Sequence, residues 1–329
     1  MTYVLFIIGV ALVFDFLNGF HDAANSIATV VSTRVLSPRN AVAVAAFFNF
    51  VAAFGFAPKV ATTIGKGVIH PDIVDPTVIL CALLGASLWD LLTWWWGLPS
   101  SSSHALAGGL IGATLPALGL RGLVVDGIAK IALFIVLSPL IGMILGTTMM
   151  IVTTWIVRRR IPAQVDKWFR RLQLVSSGIF SYSHGTNDAQ KTMGIIAVIL
   201  YGTIWADRAF EVPFWVILIC HAAIGLGTAF GGWRIVRTMG HSLTKLQPIG
   251  GFCAETGGGV TILAVSKLGI PVSTTHTITG AIVGVGATRG TRAVRWGVAG
   301  RIVWAWVLTI PAAAAVAAVV FLAVQAILD

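Results

Sequence analysis

Two aspartates, Asp22 and Asp188, lie within apolar segments and share one local pattern. Each follows a glycine (Gly19 or Gly185) by three residues and precedes polar side chains at i+3 and i+4. In a helix these positions share one face. A carboxylate in hydrocarbon costs roughly 2.5–3.5 kcal/mol, so each aspartate should face a protein interior or a wet cavity. We expect Asp22 and Asp188 to bind a coupling ion, and a metal ion is an alternative ligand. The structural alternative is that each caps a helix restarting after a break at the glycine.

Two hydroxyl-rich clusters form a second candidate site. Pro99 and Pro271 each end an apolar segment, and serine or threonine residues and a short glycine-containing helix follow. Free backbone N–H groups at a helix start bind tetrahedral oxyanions without a formal positive charge. Two such starts that meet would cradle one phosphate or sulfate, although ordinary capping of re-entrant helices is the alternative. The predicted oxyanion ligands are Ser101, Ser102, Ser103, Ser273, Thr274 and Thr275, together with Gln190, Asn25 and Asn187.

The polar positions are duplicated along the chain. Asp188 follows Asp22 by 166 residues, and His276 follows His104 by 172 residues. A repeated unit of about half the chain, with polar groups inside apolar spans, is typical of a secondary transporter. Glu255 breaks this symmetry, because a leucine occupies the equivalent position in the first half. We expect it to bind the coupling ion, and pairing with a nearby lysine or histidine is the alternative.

The composition excludes an ordinary soluble domain. Mean hydropathy is +0.91 and 10% of residues are charged, against about 25% in soluble domains. Several apolar runs reach the roughly 20 residues that cross a bilayer. The net charge of +10 is concentrated in loops between spans, as membrane topology requires, and so does not indicate nucleic acid. The sequence predicts an all-α polytopic protein of the plasma (inner) membrane.

Loop charges predict the topology. Placing the basic loops in the cytoplasm puts both termini outside, along with loops 58–76 and 203–213. Each half then holds an odd number of crossings, whether 77–118 is a hairpin or two spans, so the halves are inverted repeats. We expect broken helices and re-entrant helical hairpins in both. The predicted units are a first repeat at 1–157, a basic cytoplasmic linker at 158–171 and a second repeat at 172–329.

In these motifs the chain resembles the inorganic phosphate transporter (PiT) family. Residues 185–188 read Gly-Thr-Asn-Asp, close to the Gly-Ala-Asn-Asp-like signature that the family duplicates. Residues 19–22 read Gly-Phe-His-Asp, which is similar to the bacterial proton-coupled, metal–phosphate branch. Residues 97–104 and 269–276 match the family's re-entrant hairpins. The resemblance covers essentially the whole chain and implies an inverted-repeat fold, phosphate as substrate and, often, a homodimer.

These observations predict a secondary active symporter that imports inorganic phosphate, free or as a neutral metal–phosphate complex, with protons. The alternatives are a sodium-coupled phosphate symporter and a sulfate permease of the same fold, and in another class an anion channel. No nucleophile–base pair supports an enzyme. We expect no covalent cofactor, H⁺ or Na⁺ as coupling ion, and a divalent metal as a possible co-substrate. The expected partners are phosphate, the lipid bilayer and a second copy of the chain, but no nucleic acid.

Overall fold

The computed structural model of the chain is built from helices. It describes residues 1–55, 57–70, 73, 75–205 and 210–328, so parts of loops 58–76 and 203–213 and the last residue of the predicted second repeat lie outside the described residues. The α-helices are α1 (Thr2–Ser32), α2 (Pro38–Val51), α3 (Lys59–Gly67), α4 (Pro76–Trp96), α5 (Ser102–Leu118), α6 (Val125–Val157), α7 (Pro162–Thr203), α8 (Phe214–Phe230), α9 (Trp233–His241), α10 (Pro248–Lys267), α11 (Thr274–Ala287) and α12 (Trp296–Leu328).

Six of the described helices are long and apolar enough to cross a membrane. The number rises to eight if each of two bent helix pairs is counted as one span. One bent pair joins α2 to α3, and the other joins α8 to α9 at an angle of 73°. Helix α7 begins at Pro162, so most of the predicted linker 158–171 is the first part of this helix.

The two halves interlock through their last helices. Helix α6 packs against α11, and α12 packs in the same way against α5. Equivalent glycines allow this contact: a Cβ atom at Gly112 would collide with the Ala314 carbonyl of α12, and one at Gly284 with the Met143 carbonyl of α6. Small residues of this kind let helix backbones approach closely within a membrane. The repeated glycines of the sequence therefore hold each half against the other.

The structural alternative, a helix break beside each motif aspartate, is not observed. Helix α1 runs without interruption through Gly19, and α7 runs through Gly185. A glycine inside a helix costs only about 1 kcal/mol relative to alanine, which close packing can offset. A Cβ at Gly19 would collide with the backbone of Ile224 on α8, and one at Gly185 would lie 2.8 Å from the Asn49 carbonyl on α2. These glycines are sites of close helix contact, so neither aspartate caps a restarting helix.

The breaks after the two prolines do occur as predicted. Helix α4 ends at Trp96, and the next residue, Gly97, has the left-handed conformation (φ +66°) that favours glycine; α5 starts at Ser102. The Ser101 hydroxyl accepts a hydrogen bond from the His104 backbone N–H at 3.4 Å. Ser273 caps α11 in the same way, accepting from the His276 N–H at 3.2 Å. Both serines are buried, so both helix starts lie inside the protein.

Candidate functional site

The start of α11 joins the two motif aspartates. Thr274 donates its hydroxyl to Asp188 Oδ2 at 2.9 Å, and the adjacent Thr275 donates to Asp22 Oδ2 at 3.4 Å. Asn25 on α1 donates its amide to the Thr275 hydroxyl at 2.9 Å and to the Thr274 hydroxyl at 3.3 Å. All five side chains are at most 2% exposed. Carboxylates from opposite halves of the chain thus meet at one closed, buried helix start.

Each aspartate also has a histidine partner. His21 Nδ1 lies 2.7 Å from Asp22 Oδ1, and its Nε2 lies 3.0 Å from the Thr93 hydroxyl on α4. His184 Nε2 lies 3.0 Å from Asp188 Oδ2. Potential ligand atoms of Asp22, His184 and Asp188 all lie within 4.8 Å of one another, so these three side chains could hold a metal ion. The two aspartates were predicted as metal ligands, whereas His184 was interpreted as structural or as part of a proton relay. Its i, i+4 spacing from Asp188 is the signal that could have indicated it.

A buried lysine completes the charge pattern. Lys191, 1% exposed, pairs with Asp188 Oδ1, contacts the Ser103 hydroxyl, and donates to the Val272 carbonyl at 3.1 Å. Lys191 was not among the predicted oxyanion ligands, although a lysine inside an apolar span is costly enough to indicate function. Lys191 compensates one of the two carboxylates. The second needs a proton or a cation, because an unpaired buried charge is very unfavourable.

Comparisons with known proteins agree with this architecture. A solved structure described as a sodium-dependent phosphate transporter is similar over 99% of this chain and 100% of its own, with a TM-score of 0.89 and 28% identity. The model of the phosphate transporter family matches residues 18–317. The chain belongs to the phosphate transporter family. It is therefore a multi-pass membrane transporter and not an enzyme, as the sequence predicted.

Two bacterial relatives match this transporter along nearly its whole length. Both carry the name "Probable low-affinity inorganic phosphate transporter". The protein from Rhizobium meliloti (strain 1021) is 58% identical over 317 residues, which is 96% of this chain and 95% of the relative. The protein from Bacillus subtilis (strain 168) is 44% identical over 313 residues, 94% of each chain. The family relationship thus covers both halves of the transporter.

The hydroxyl groups of the two serine- and threonine-rich clusters have different roles in the structure. Ser101 and Ser273 serve as helix caps, and Ser103 contacts Lys191. The buried Ser102 hydroxyl has no hydrogen-bond partner within the described part of the chain. The Ser102 hydroxyl faces the Asp90 carboxylate at the start of α5. At the start of α11, the Thr274 and Thr275 hydroxyls are donated to the two motif aspartates.

Two predicted phosphate ligands lie elsewhere in this conformation. The Gln190 carbonyl oxygen accepts from the backbone N–H groups of Val60 and Ala61 at 2.8 and 3.3 Å, so Gln190 caps α3 from a neighbouring helix. Asn187 donates its amide to the Ser266 hydroxyl on α10 at 2.8 Å, and its amide oxygen is unpartnered among the described residues. Both side chains fix the position of α7 against other helices.

Glu255 forms a site of its own. One carboxylate oxygen accepts from the Thr29 hydroxyl at 2.6 Å and from the Gln173 amide at 2.9 Å. The other oxygen accepts from the Ser176 hydroxyl. The described structure shows hydroxyl and amide partners, rather than the lysine or histidine of the structural alternative. Glu255 is buried and shares none of these partners with Asp22 or Asp188, and its role in binding the coupling ion stays a prediction.

Two further buried carboxylates were missed. Asp15 on α1 and Asp90 on α4 are at most 1% exposed, and none of their carboxylate oxygens has a hydrogen-bond partner in the described residues. Asp90 interacts electrostatically with His21 and Asp22. An acidic residue inside an apolar span was the signal that identified Asp22, and the same signal was present at both positions.

Proposed function

We propose that this transporter is a secondary active symporter that imports inorganic phosphate with protons. The observation that carries the proposal is the meeting of Asp22 and Asp188 at the start of α11, each with a histidine partner. A carboxylate hydrogen-bonded to an imidazole can take up and release a proton within the protein interior. The anion and proton sites then share the same two threonines.

Phosphate would bind between the starts of α5 and α11. Ser102, Ser103, Thr274 and Thr275 supply hydroxyl groups, the helix starts supply backbone N–H groups, and Lys191 supplies a positive charge. Asn25 already donates to both threonines and would remain beside the anion. HPO₄²⁻ carries a proton that can bond to a carboxylate, whereas sulfate carries none, so the nearby aspartates favour phosphate over sulfate. The same buried acids favour ion coupling over an anion channel.

Sodium coupling is the second candidate, and one observation favours it. The similar solved structure is described as sodium-dependent. The oxygens of Asp22, Asn25 and Thr275 are of the kind that bind a hard cation. We favour protons because His21 Nδ1 occupies the bonding position beside Asp22, 2.7 Å from its carboxylate. Asp22, His184 and Asp188 could in addition accommodate the metal of a neutral metal–phosphate complex.

The same proposal includes inverted repeats, with units at 1–157 and 172–329 and a basic cytoplasmic linker at 158–171. The reciprocal packing of α6 on α11 and of α12 on α5 supports a two-fold relation between the halves. Basic loops between spans support a topology with both termini outside in a bacterial-type plasma membrane. Alternating access would then rock one bundle about the site. We propose a homodimer as the working assembly, by analogy with the family.

Transport into proteoliposomes tests the proposal. Radiolabelled phosphate uptake is measured with an imposed pH gradient without sodium, and separately with a sodium gradient at fixed pH. We expect the pH gradient alone to drive accumulation and excess unlabelled sulfate to leave it unchanged. Uptake that follows only the sodium gradient would overturn the proton assignment and leave the phosphate site standing. Equal competition by sulfate would overturn the choice of phosphate over sulfate.

A further inference from the structure

A line of polar groups follows one face of α1. Asp15, Asp22 and Thr29 are spaced seven residues apart, which is about two helical turns or 10 Å per step. Asp22 belongs to the central site, and Thr29 donates to Glu255 at 2.6 Å. Helix α7, which carries Asp188, packs against α1. Carboxyl groups therefore recur along α1 at Asp15, at the aspartate pair and at Glu255.

The buried surroundings of Asp15 offer few hydrogen-bond donors. Thr192 and Asn18 are its interacting polar side chains. Both Asp15 oxygens, the Thr192 hydroxyl and the Asn18 amide oxygen are buried and unpartnered within the described residues. When Asp15 is ionised, three of these four oxygens can accept hydrogen bonds but cannot donate one. The fourth, the threonine hydroxyl, has a single proton to donate. One buried cluster thus holds several unsatisfied acceptors, which is rare in native proteins.

The charges around Asp15 do not compensate it. The titratable groups that face it from α7 are Asp188 and Lys191, and α8 contributes the Cys220 thiol. Lys191 is already paired with Asp188. An ionised Asp15 would therefore be an uncompensated buried charge. A proton on Asp15 removes the charge and adds a donor, which can bond to the Asn18 oxygen while Thr192 donates to the other carboxyl oxygen.

We propose that Asp15 is a further proton-binding residue of the transport cycle, at the amino-terminal end of a line of carboxyl groups that continues through Asp22 and Asp188 to Glu255. This inference rests on the proposed proton symport. In each cycle the Asp15 carboxylate takes one proton from the side that loads phosphate, and the same proton leaves on the opposite side. No bond within phosphate changes. Asp15 faces Lys191 and Asp188 but is not itself one of the proposed phosphate ligands, so experiment can separate its role from substrate binding.

The first experiment counts protons per phosphate. Wild type and Asp15→Asn are compared in proteoliposomes with an internal pH dye and radiolabelled phosphate. We expect the variant to move about one proton fewer per phosphate. At an imposed potential of about 100 mV, the loss of one coupled charge lowers the accumulation ratio about 50-fold. Asp166→Asn is the matched control, because Asp166 lies on the exposed start of α7, where it pairs with Arg170. The control should keep the wild-type count.

The outcomes separate this inference from the proposed function. If wild type moves no protons with phosphate, proton symport itself fails. If wild type is proton-coupled and Asp15→Asn keeps the wild-type count, Asp15 is not a carrier and the inference is overturned. Phosphate–phosphate exchange checks the substrate site in the same vesicles. A variant that loses exchange together with accumulation would assign Asp15 to the phosphate site, which also overturns the inference.

A second variant leaves the acid in place. Thr192→Val removes the hydroxyl that stabilises the ionised carboxylate and keeps the shape of the side chain. We expect the pH profile of uptake to move to higher pH with the proton count unchanged. A profile that coincides with wild type would count against the inference, even if Asp15→Asn fails to insert. Thr288→Val on the exposed end of α11 is the control for the substitution itself.

Discussion

The hydroxyl of Thr274 donates to Asp188 at 2.9 Å, and this bond ties the start of α11 to the middle of α7. The same hydroxyl is a proposed phosphate ligand, so it cannot serve both groups fully at once. Thr275 stands in the same relation to Asp22, the carboxylate that Lys191 leaves uncompensated. A proton on Asp22 would weaken its hydrogen bond from Thr275, since a neutral carboxyl is a poorer acceptor than a carboxylate. The hydroxyl would then be free to bond to the anion. Proton binding and phosphate binding would assist each other through this one side chain.

The aspartates themselves provide the first prediction. Asp22→Asn and Asp188→Asn keep the size and most hydrogen bonding of the side chain but remove its charge and its proton. We expect both variants to insert into the membrane and to lose gradient-driven phosphate accumulation. Accumulation is measured in proteoliposomes at matched protein density, with Asp166→Asn as the exposed control. Wild-type accumulation by either variant would remove that aspartate from the coupling mechanism.

The two hydroxyl clusters provide the second. Ser102→Ala and Thr274→Ala each delete one proposed bond to phosphate. A hydrogen bond to a charged group is worth about 1.5–3 kcal/mol, so each change should raise the KM for phosphate roughly 10- to 100-fold. Initial uptake rates over a range of phosphate concentrations measure this. Thr288→Ala, outside the site on α11, should leave KM unchanged. Normal KM values in both site variants would mean that the anion binds elsewhere.

The paired motifs were predictable because duplication doubles each signal. The pair Asp22 and Asp188 stood out in the sequence, and the two side chains meet at the start of α11. The pair Ser101 and Ser273 also stood out, and the two hydroxyls cap α5 and α11 in the same way. The helix starts after Pro99 and Pro271 could also be predicted from the sequence, because proline and hydroxyl-bearing residues act locally on the backbone.

Other features depend on contacts between distant segments. In the sequence, Gly19 has the character of a helix breaker. In the structure it lies inside α1, and the backbone of Ile224 packs against it. Gln190 has the chemistry of a phosphate ligand, yet it caps a helix whose start lies 130 residues earlier in the chain. Asp15 and Asp90 were missed although each carries the signal that identified Glu255, an acidic residue inside an apolar segment without a symmetry mate.

Lys191 provides the third prediction. Lys191→Met removes the buried positive charge and leaves Asp188 without its lysine partner, and breaking a buried ion pair typically costs about 3–5 kcal/mol of folding free energy. We expect a marked loss of thermal stability in detergent, measured by fluorescence-detected size exclusion after heating. The double variant Lys191→Met with Asp188→Asn should recover much of this loss, because no uncompensated charge remains. No recovery in the double variant would show that the lysine acts through packing instead of charge.

The choice of coupling ion rests on His21, which provides the last prediction. His21 Nδ1 lies 2.7 Å from Asp22, and its other nitrogen lies 3.0 Å from Thr93. His21→Asn replaces a titratable ring by an amide whose oxygen can bind a cation and whose N–H can still bond to Asp22. We expect this variant to lose part of its response to a pH gradient and to gain stimulation of phosphate uptake by sodium.

His221→Asn is the matched control, because His221 is also buried but contacts the Asn49 backbone at 2.8 Å, away from both aspartates. Initial uptake rates at fixed pH with sodium or potassium outside distinguish the two ions. If His21→Asn responds to pH and sodium as wild type does, the imidazole has no part in ion selection, and the proton must be held by the carboxyl groups alone.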